Sequence, residues 1–207
     1  LYIMLSVMGF YYLRTSREIT ASVFGGLLAA TRPVGIMFMV PVFINFIRHR
    51  KPLTKLIFAL AISSAGLVCY MLFLHYRAGD FLAFKHIQKG WGRNGWDTAH
   101  LGKQIWAMVT DFHNSILFLI SVLLSLYMLV KKYYEEALFN LACILPGAFT
   151  GTMMSEGRFC GTLFTFYFGF VVLAEKSWTI KILILMISLV LYMSYYVYWV
   201  GHANFLI

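Results

Sequence analysis

Apolar residues run along this chain in long blocks, separated by short polar or basic breaks. The first block, Leu1–Leu13, ends at Arg14-Thr-Ser-Arg17-Glu18. The next, Ile19–Ala30, is rich in small residues, and Gly25, Gly26, Ala29 and Ala30 allow two helices to approach closely. Thr31-Arg32-Pro33 interrupts the pattern. Val34–Ile47, which contains Pro41, resumes it, and Arg48-His49-Arg50-Lys51-Pro52 closes it. A spanning helix takes about 20 apolar residues, and Leu56–Leu74 is the clearest such stretch. A long polar segment, Arg77–His113, follows. Then come Ile116–Val130, Ala137–Met154 with a Pro146-Gly147 kink, Cys160–Ala174 and Ile182–Val200. The pattern predicts an all-α, polytopic transmembrane bundle of about six to eight membrane helices. It forms one membrane domain over residues 1–207.

Basic short loops mark the cytoplasmic side of such a bundle. Arg48–Lys55, Lys131-Lys132 and Lys176/Lys181 share a side if each later block crosses once. The Arg77–His113 segment and Ser155–Arg158 then lie opposite. Arg14/Arg17 and Arg48–Lys51 are both strongly basic, so one straight helix between them would put one cluster on the wrong side. A re-entrant or broken pair of short helices turning at Thr31-Arg32-Pro33 removes the conflict, because proline drives its predecessor out of helical geometry; the alternative is one kinked span with a misplaced basic loop. In the opposite segment, Asp80 is placed to cap a short helix from Phe81 to Lys89, closed by Gly90. Asp97 is placed to cap a second helix through about Phe112, whose apolar face suits the membrane interface.

Composition agrees with a lipid environment. The chain has 207 residues, 61% hydrophobic and 12% charged, where a soluble domain carries about a quarter charged residues. So few charges cannot coat a water-facing surface. The net charge of +9 lies in short loops between apolar blocks. That distribution fits topology and contact with membrane lipids rather than nucleic acid. Cys69, Cys143 and Cys160 each fall inside an apolar block without ligand spacing and read as small buried hydrophobes. His86, His100 and His113 lack the helical spacing of a metal site, and no phosphate-cradling or dinucleotide loop is present. No cofactor is expected.

Arg32 is the residue most suggestive of chemistry. A charge at membrane depth is costly, and guanidinium matches a phosphate oxygen pair; the bland reading is an arginine snorkelling to the interface. Gln88, Trp91, Arg93 and Trp96 form a second set. Indole faces stack on sugar rings, while amide and guanidinium groups bond hydroxyls and phosphate; an aromatic interface belt would look the same. Glu156 and Arg158, in a very short break, fit either an ion pair or a headgroup contact.

Three segments in order carry a resemblance. Ala29-Ala30-Thr31-Arg32-Pro33-Val34-Gly35 resembles the Thr-Arg-Pro-x-Gly element of GT-C membrane glycosyltransferases. His86-Ile87-Gln88-Lys89-Gly90-Trp91-Gly92-Arg93 resembles the Gln…Trp element of the PIG-V type GPI mannosyltransferase II family and its prokaryotic relatives. Ser155-Glu156-Gly157-Arg158-Phe159 resembles that family's Ser-x-x-Arg-Tyr element. The set resembles the family's C-terminal half. The chain departs from the pattern at Phe164-Thr165-Phe166, where the family often has Phe-Pro.

The resemblance implies transfer of a sugar, mannose above all, from a polyprenyl- or dolichyl-phosphate donor on the extracytoplasmic side. The setting would be the plasma (bacterial inner) membrane or the endoplasmic reticulum. The catalytic acid of such enzymes lies in their first extracytoplasmic loop and is expected N-terminal to Leu1, in a missing N-terminal half that would be this chain's partner. Asp80, Asp97, Asp111 and Glu156 do not match it, and the catalytic residue is unassigned. Arg32, Arg93 and Arg158 are the expected contacts to the donor phosphate. Other readings are a transporter or channel segment, with its broken helices, and an inactive truncated membrane protein.

Overall fold

A computed structural model describes residues 1–91, 112–148 and 156–201. These form helices and their connections, with no strand among the described residues. Helix α1 spans Tyr2–Arg14 and α2 spans Glu18–Thr31. A 3-10 segment at Pro33–Phe38 leads into α3, Met39–Arg48, and α4 runs Leu53–Ala78. A single turn, α5 (Ala83–His86), continues as a 3-10 segment, Ile87–Trp91. Then follow α6 (Phe112–Val130), α7 (Tyr134–Ala148), α8 (Glu156–Thr162), α9 (Phe164–Ala174) and α10 (Trp178–Gly201).

The chain turns at Thr31-Arg32-Pro33 and comes back. Lys51, just past α3, is ion-paired with Glu18 at the start of α2, and its ammonium also donates to Asn45 Oδ1 at 3.1 Å. Two further pairs tie the same end to the start of α7: Arg14 with Glu136 at 2.5 Å and Arg48 with Glu135 at 3.4 Å. Glu135 and Glu136 occupy the first turn of α7, where a carboxylate also complements the helix dipole. The loops after α1, α3 and α6 therefore meet at one end. Each carries a non-glycine residue in left-handed backbone: Ser16 (φ 57°), Arg50 (φ 49°) and Lys132 (φ 65°). In all three, the following N–H bonds back to a carbonyl in the last helical turn, Arg17 to Tyr12, Lys51 to Phe46 and Tyr133 to Met128.

Helix α2 packs on α1 and α4, α3 on α7, and α6 on α7, α8 and α9. The α2–α4 contact is backbone against backbone. A Cβ built on Gly26 would meet Ile62 O at 2.7 Å, and one on Gly66 would collide with the Gly26 carbonyl. The small-residue face of α2 thus meets a glycine of α4. Four aromatic rings then bind the separate elements. Phe10 of α1 stands edge-on to Phe38 at 5.3 Å and to Phe139 of α7 at 5.5 Å, and it meets Phe164 of α9 at 5.0 Å.

A polar clasp lies among α6, α7 and α9. Asn140 Nδ2 donates to Ser121 Oγ at 2.7 Å and Ser125 Oγ at 2.9 Å, and Thr165 Oγ1 donates to Asn140 Oδ1 at 2.8 Å. All four side chains are fully buried. Leucine at position 140 keeps the branched outline and deprives the hydroxyls of Ser121, Ser125 and Thr165 of their shared partner. Interhelical bonds of this kind contribute about 0.6–1.7 kcal/mol each, so Asn140→Leu is expected to cost about 2 kcal/mol. An unfolding titration in mixed micelles would show it, and an unchanged midpoint would remove the clasp from the account.

Several boundaries differ from the sequence pattern. Helix α4 extends beyond Leu56–Leu74 to Leu53–Ala78, so Arg77 belongs to its last turn. The expected Phe81–Lys89 helix is reduced to α5 and its 3-10 continuation. Asp80 takes the Leu82 N–H at 2.9 Å and His86 Nδ1 at 2.6 Å, which fixes a turn where a helical turn was expected. Cys160–Ala174 is not continuous. Leu163 is extended (φ −90°, ψ 119°) and separates α8 from α9, while the break expected at Ser155–Arg158 is helical from Glu156 onward. Cys143 and Cys160 are buried as expected, but Cys69 is exposed on the outer face of α4. The helix expected over Asp97–Phe112 lies outside the described residues up to its last residue, which begins α6. Among the described residues one helix, α4, is long and apolar enough to cross a membrane. The apolar stretches of α2, α3, α6, α9 and α10 are shorter there, and α2 and α9 have only 14 and 11 residues.

Candidate functional site

Arg32 stands at the turn between α2 and the 3-10 segment. Thr31 ends the helix with its hydroxyl on Leu28 O at 2.8 Å, and the Arg32 N–H takes the same carbonyl at 3.1 Å. Proline at position 33 holds Arg32 in extended backbone, φ −149° and ψ 136°. The Gly35 N–H then closes on Arg32 O at 2.8 Å. Position 35 must be glycine: a Cβ there would strike the Leu28 carbonyl and come within 2.6 Å of Ala29 N. Thr-Arg-Pro-Val-Gly is therefore a compact device. Its proline sets the extended arginine, and its glycine lets the returning chain lie on the last turn of α2.

The arginine side chain reaches across the fold. Arg32 Nη1 donates to Thr162 Oγ1 at 2.9 Å, over 130 residues of sequence. Thr162 in turn donates to Phe159 O at 3.0 Å, so its lone pair is the part that faces the guanidinium. The Tyr2 ring lies 5.8 Å from Arg32 Cζ. Arg32 is half-buried. Among the described side chains no carboxylate pairs with it. Among the described side chains the cation is held by a neutral hydroxyl and an aromatic face, and these fix the direction of its fork.

The structure brings the Arg32 turn against α8, the helix that begins at Glu156. Positions 156 and 158 are in that helix, and residue 158 is one turn before Thr162; their side chains lie outside the described residues. Gln88 is in the 3-10 segment after α5, half-buried. The turn and α5 that precede it are anchored to the last turns of α4, where Phe84 meets Tyr70 at 6.0 Å and Phe81 stacks on His75 at 3.9 Å. The backbone of Trp91 ends the segment; its side chain, with Arg93 and Trp96, lies outside the described residues. Thr162 and Tyr2 were not legible as site residues, since neither has a motif of its own. Thr162 could have been found from its place one turn beyond Arg158.

The acids add one constraint. The hydrogen bond from His86, then the Leu82 N–H, hold the exposed Asp80 carboxyl below the usual carboxylate range. A carboxylate so stabilised is a poor proton acceptor, which argues against Asp80 as a general base. Among the described residues no group of three His, Cys, Asp or Glu side chains is assembled as a metal would need. No protein-family model, curated protein or solved structure matches the chain.

Proposed function

We propose that this chain is a multi-pass membrane protein of the GT-C glycosyltransferase kind, whose Arg32 and Thr162 present a fixed guanidinium to the phosphate of a polyprenyl-phosphate-linked sugar, mannose above all. One observation carries the reading: Arg32 of the Thr-Arg-Pro-x-Gly turn bonds Thr162, the last residue of the helix that also carries Glu156 and Arg158 of the Ser-x-x-Arg segment. The contact ties two elements that are far apart in sequence. The outer faces support a lipid setting. On α4, Ile57, Phe58, Val68, Leu72 and Phe73 are exposed, as are Leu183, Leu185 and Val190 on α10. With α2 running from the paired basic end to Arg32, its 14 residues put the arginine roughly 20 Å from that end. The basic loops then face the cytoplasm and Arg32 the opposite side.

In transfer of this kind an acceptor hydroxyl attacks the anomeric carbon, its proton goes to a carboxylate, and the carbon–oxygen bond to the lipid phosphate breaks. Negative charge builds on the departing phosphate, and Arg32 meets it with donors already oriented. Losing one charge-assisted contact costs about 1.5–3 kcal/mol, so Arg32→Ala in the full-length protein is expected to lower sugar transfer about ten- to a hundredfold. Arg32→Lys recovers part of it, because ammonium lacks the planar fork. Transfer from a synthetic lipid-phosphate donor in proteoliposomes, at matched protein level, tests this. An alanine variant that transfers at the parental rate overturns the assignment of Arg32.

A further inference from the structure

At the end of the bundle away from Arg32, the three loops after α1, α3 and α6 enclose a cavity of about 300 Å³. Its floor is apolar, formed by Phe10 and Leu13. Its polar lining includes Arg14, Arg48, His49 and Lys132, together with Glu135 and Glu136. The opposite charges are not equally placed. The Arg14 and Arg48 side chains are 54% and 49% exposed, whereas their partners Glu136 and Glu135 are 4% and 12% exposed. The carboxylates are behind and the cations in front.

That order decides what the mouth would receive. Arg14 spends Nε and Nη2 on a single oxygen of Glu136, at 3.0 and 2.5 Å. Arg48 reaches Glu135 with Nη1 only, at 3.4 and 3.5 Å. Each guanidinium keeps further N–H donors beyond those contacts. The buried acids thus act as props that orient the two forks. Lys132 adds a third cation from a left-handed turn, a conformation that glycine adopts without strain. Charge of this arrangement over an apolar floor matches a phosphate with a short organic group attached.

We propose that this cavity binds a phosphate ester, and that the ester is the headgroup of an anionic phospholipid in the leaflet facing the basic loops. The site is independent of Arg32 and of sugar transfer. Free phosphate offers the same anion without the apolar part, and the test separates the two.

The full chain, purified in neutral detergent, would be exposed separately to phosphatidylglycerol, to phosphatidylcholine and to inorganic phosphate. Bound lipid would be counted by native mass spectrometry. Retention of phosphatidylglycerol is expected to exceed that of phosphatidylcholine about tenfold. Lys132→Gly removes a cation while easing its backbone, so the variant folds; it is expected to lower phosphatidylglycerol retention about five- to tenfold, as is Arg48→Gln. Failure of millimolar phosphate to displace the lipid supports the headgroup source. Displacement at that concentration overturns the lipid and leaves a free-phosphate site. Equal retention of the two lipids, or full retention by both variants, overturns the site itself.

Discussion

Gly66→Leu is expected to force α2 and α4 apart and to destabilise the protein by about 3 kcal/mol or more. The reason is what a side chain at position 66 would meet. Its Cβ would fall on the Gly26 carbonyl oxygen, 2.7 Å from the Gly26 carbonyl carbon and 2.9 Å from Ala30 N. These are backbone atoms, so no rotamer change makes room and a whole helix has to move. The displaced partner is α2, which also carries the close contact between Gly35 and Leu28. Movement there would reach the Arg32 turn. Gly66→Ala should produce most of the same loss, since the collision is with Cβ. Thermal unfolding in detergent reads the change. A leucine variant that melts with the parent would mean that the helices do not cross so closely.

Arg14→Ala should cost about 3 kcal/mol, and Glu136→Gln only about 1. The asymmetry follows from exposure. Glu136 is almost entirely enclosed, whereas half of the Arg14 side chain meets the surroundings. Removing the arginine strands a buried carboxylate and also deletes the cation packed over Tyr133 and Phe168, at 5.5 and 5.4 Å. Removing the charge of Glu136 leaves Arg14 free to turn outward and be solvated. The double variant Arg14→Met/Glu136→Leu is therefore expected to recover much of the loss, as apolar replacements of enclosed ion pairs commonly do. Denaturant midpoints for the three variants test the order. Equal losses from the two single substitutions would contradict it.

The helical class and the hairpin were readable because both rest on strong local signals. Long apolar blocks permit little besides helix, and two basic clusters flanking Thr31-Arg32-Pro33 favoured a turn over a single kinked span. The small residues of α2 announced a close neighbour but not which one, since Gly66 is a single glycine in an ordinary apolar run. The division of Cys160–Ala174 could not be read at all. Leu163 is a good helix former, and the helix stops beside Thr162, whose hydroxyl bonds within its own turn and accepts from Arg32. A contact across 130 residues leaves no local trace. The ion pairs of Glu135 and Glu136 were hidden for the same reason. Adjacent acids in a short loop are common, and only the meeting of three loops turns these two into props for Arg14 and Arg48.

The crossing of α2 and α4 also imposes an order of events during synthesis. Gly66 leaves the ribosome forty residues after Gly26, a lag of roughly 2–8 s at ordinary elongation rates. Throughout that interval the partner surface of α2 does not exist, so the hairpin waits without the helix it was shaped to touch. Its glycines and alanines present little greasy area that another chain could seize. The same small side chains that make the final contact so tight keep the unfinished protein unattractive to its neighbours until α4 arrives.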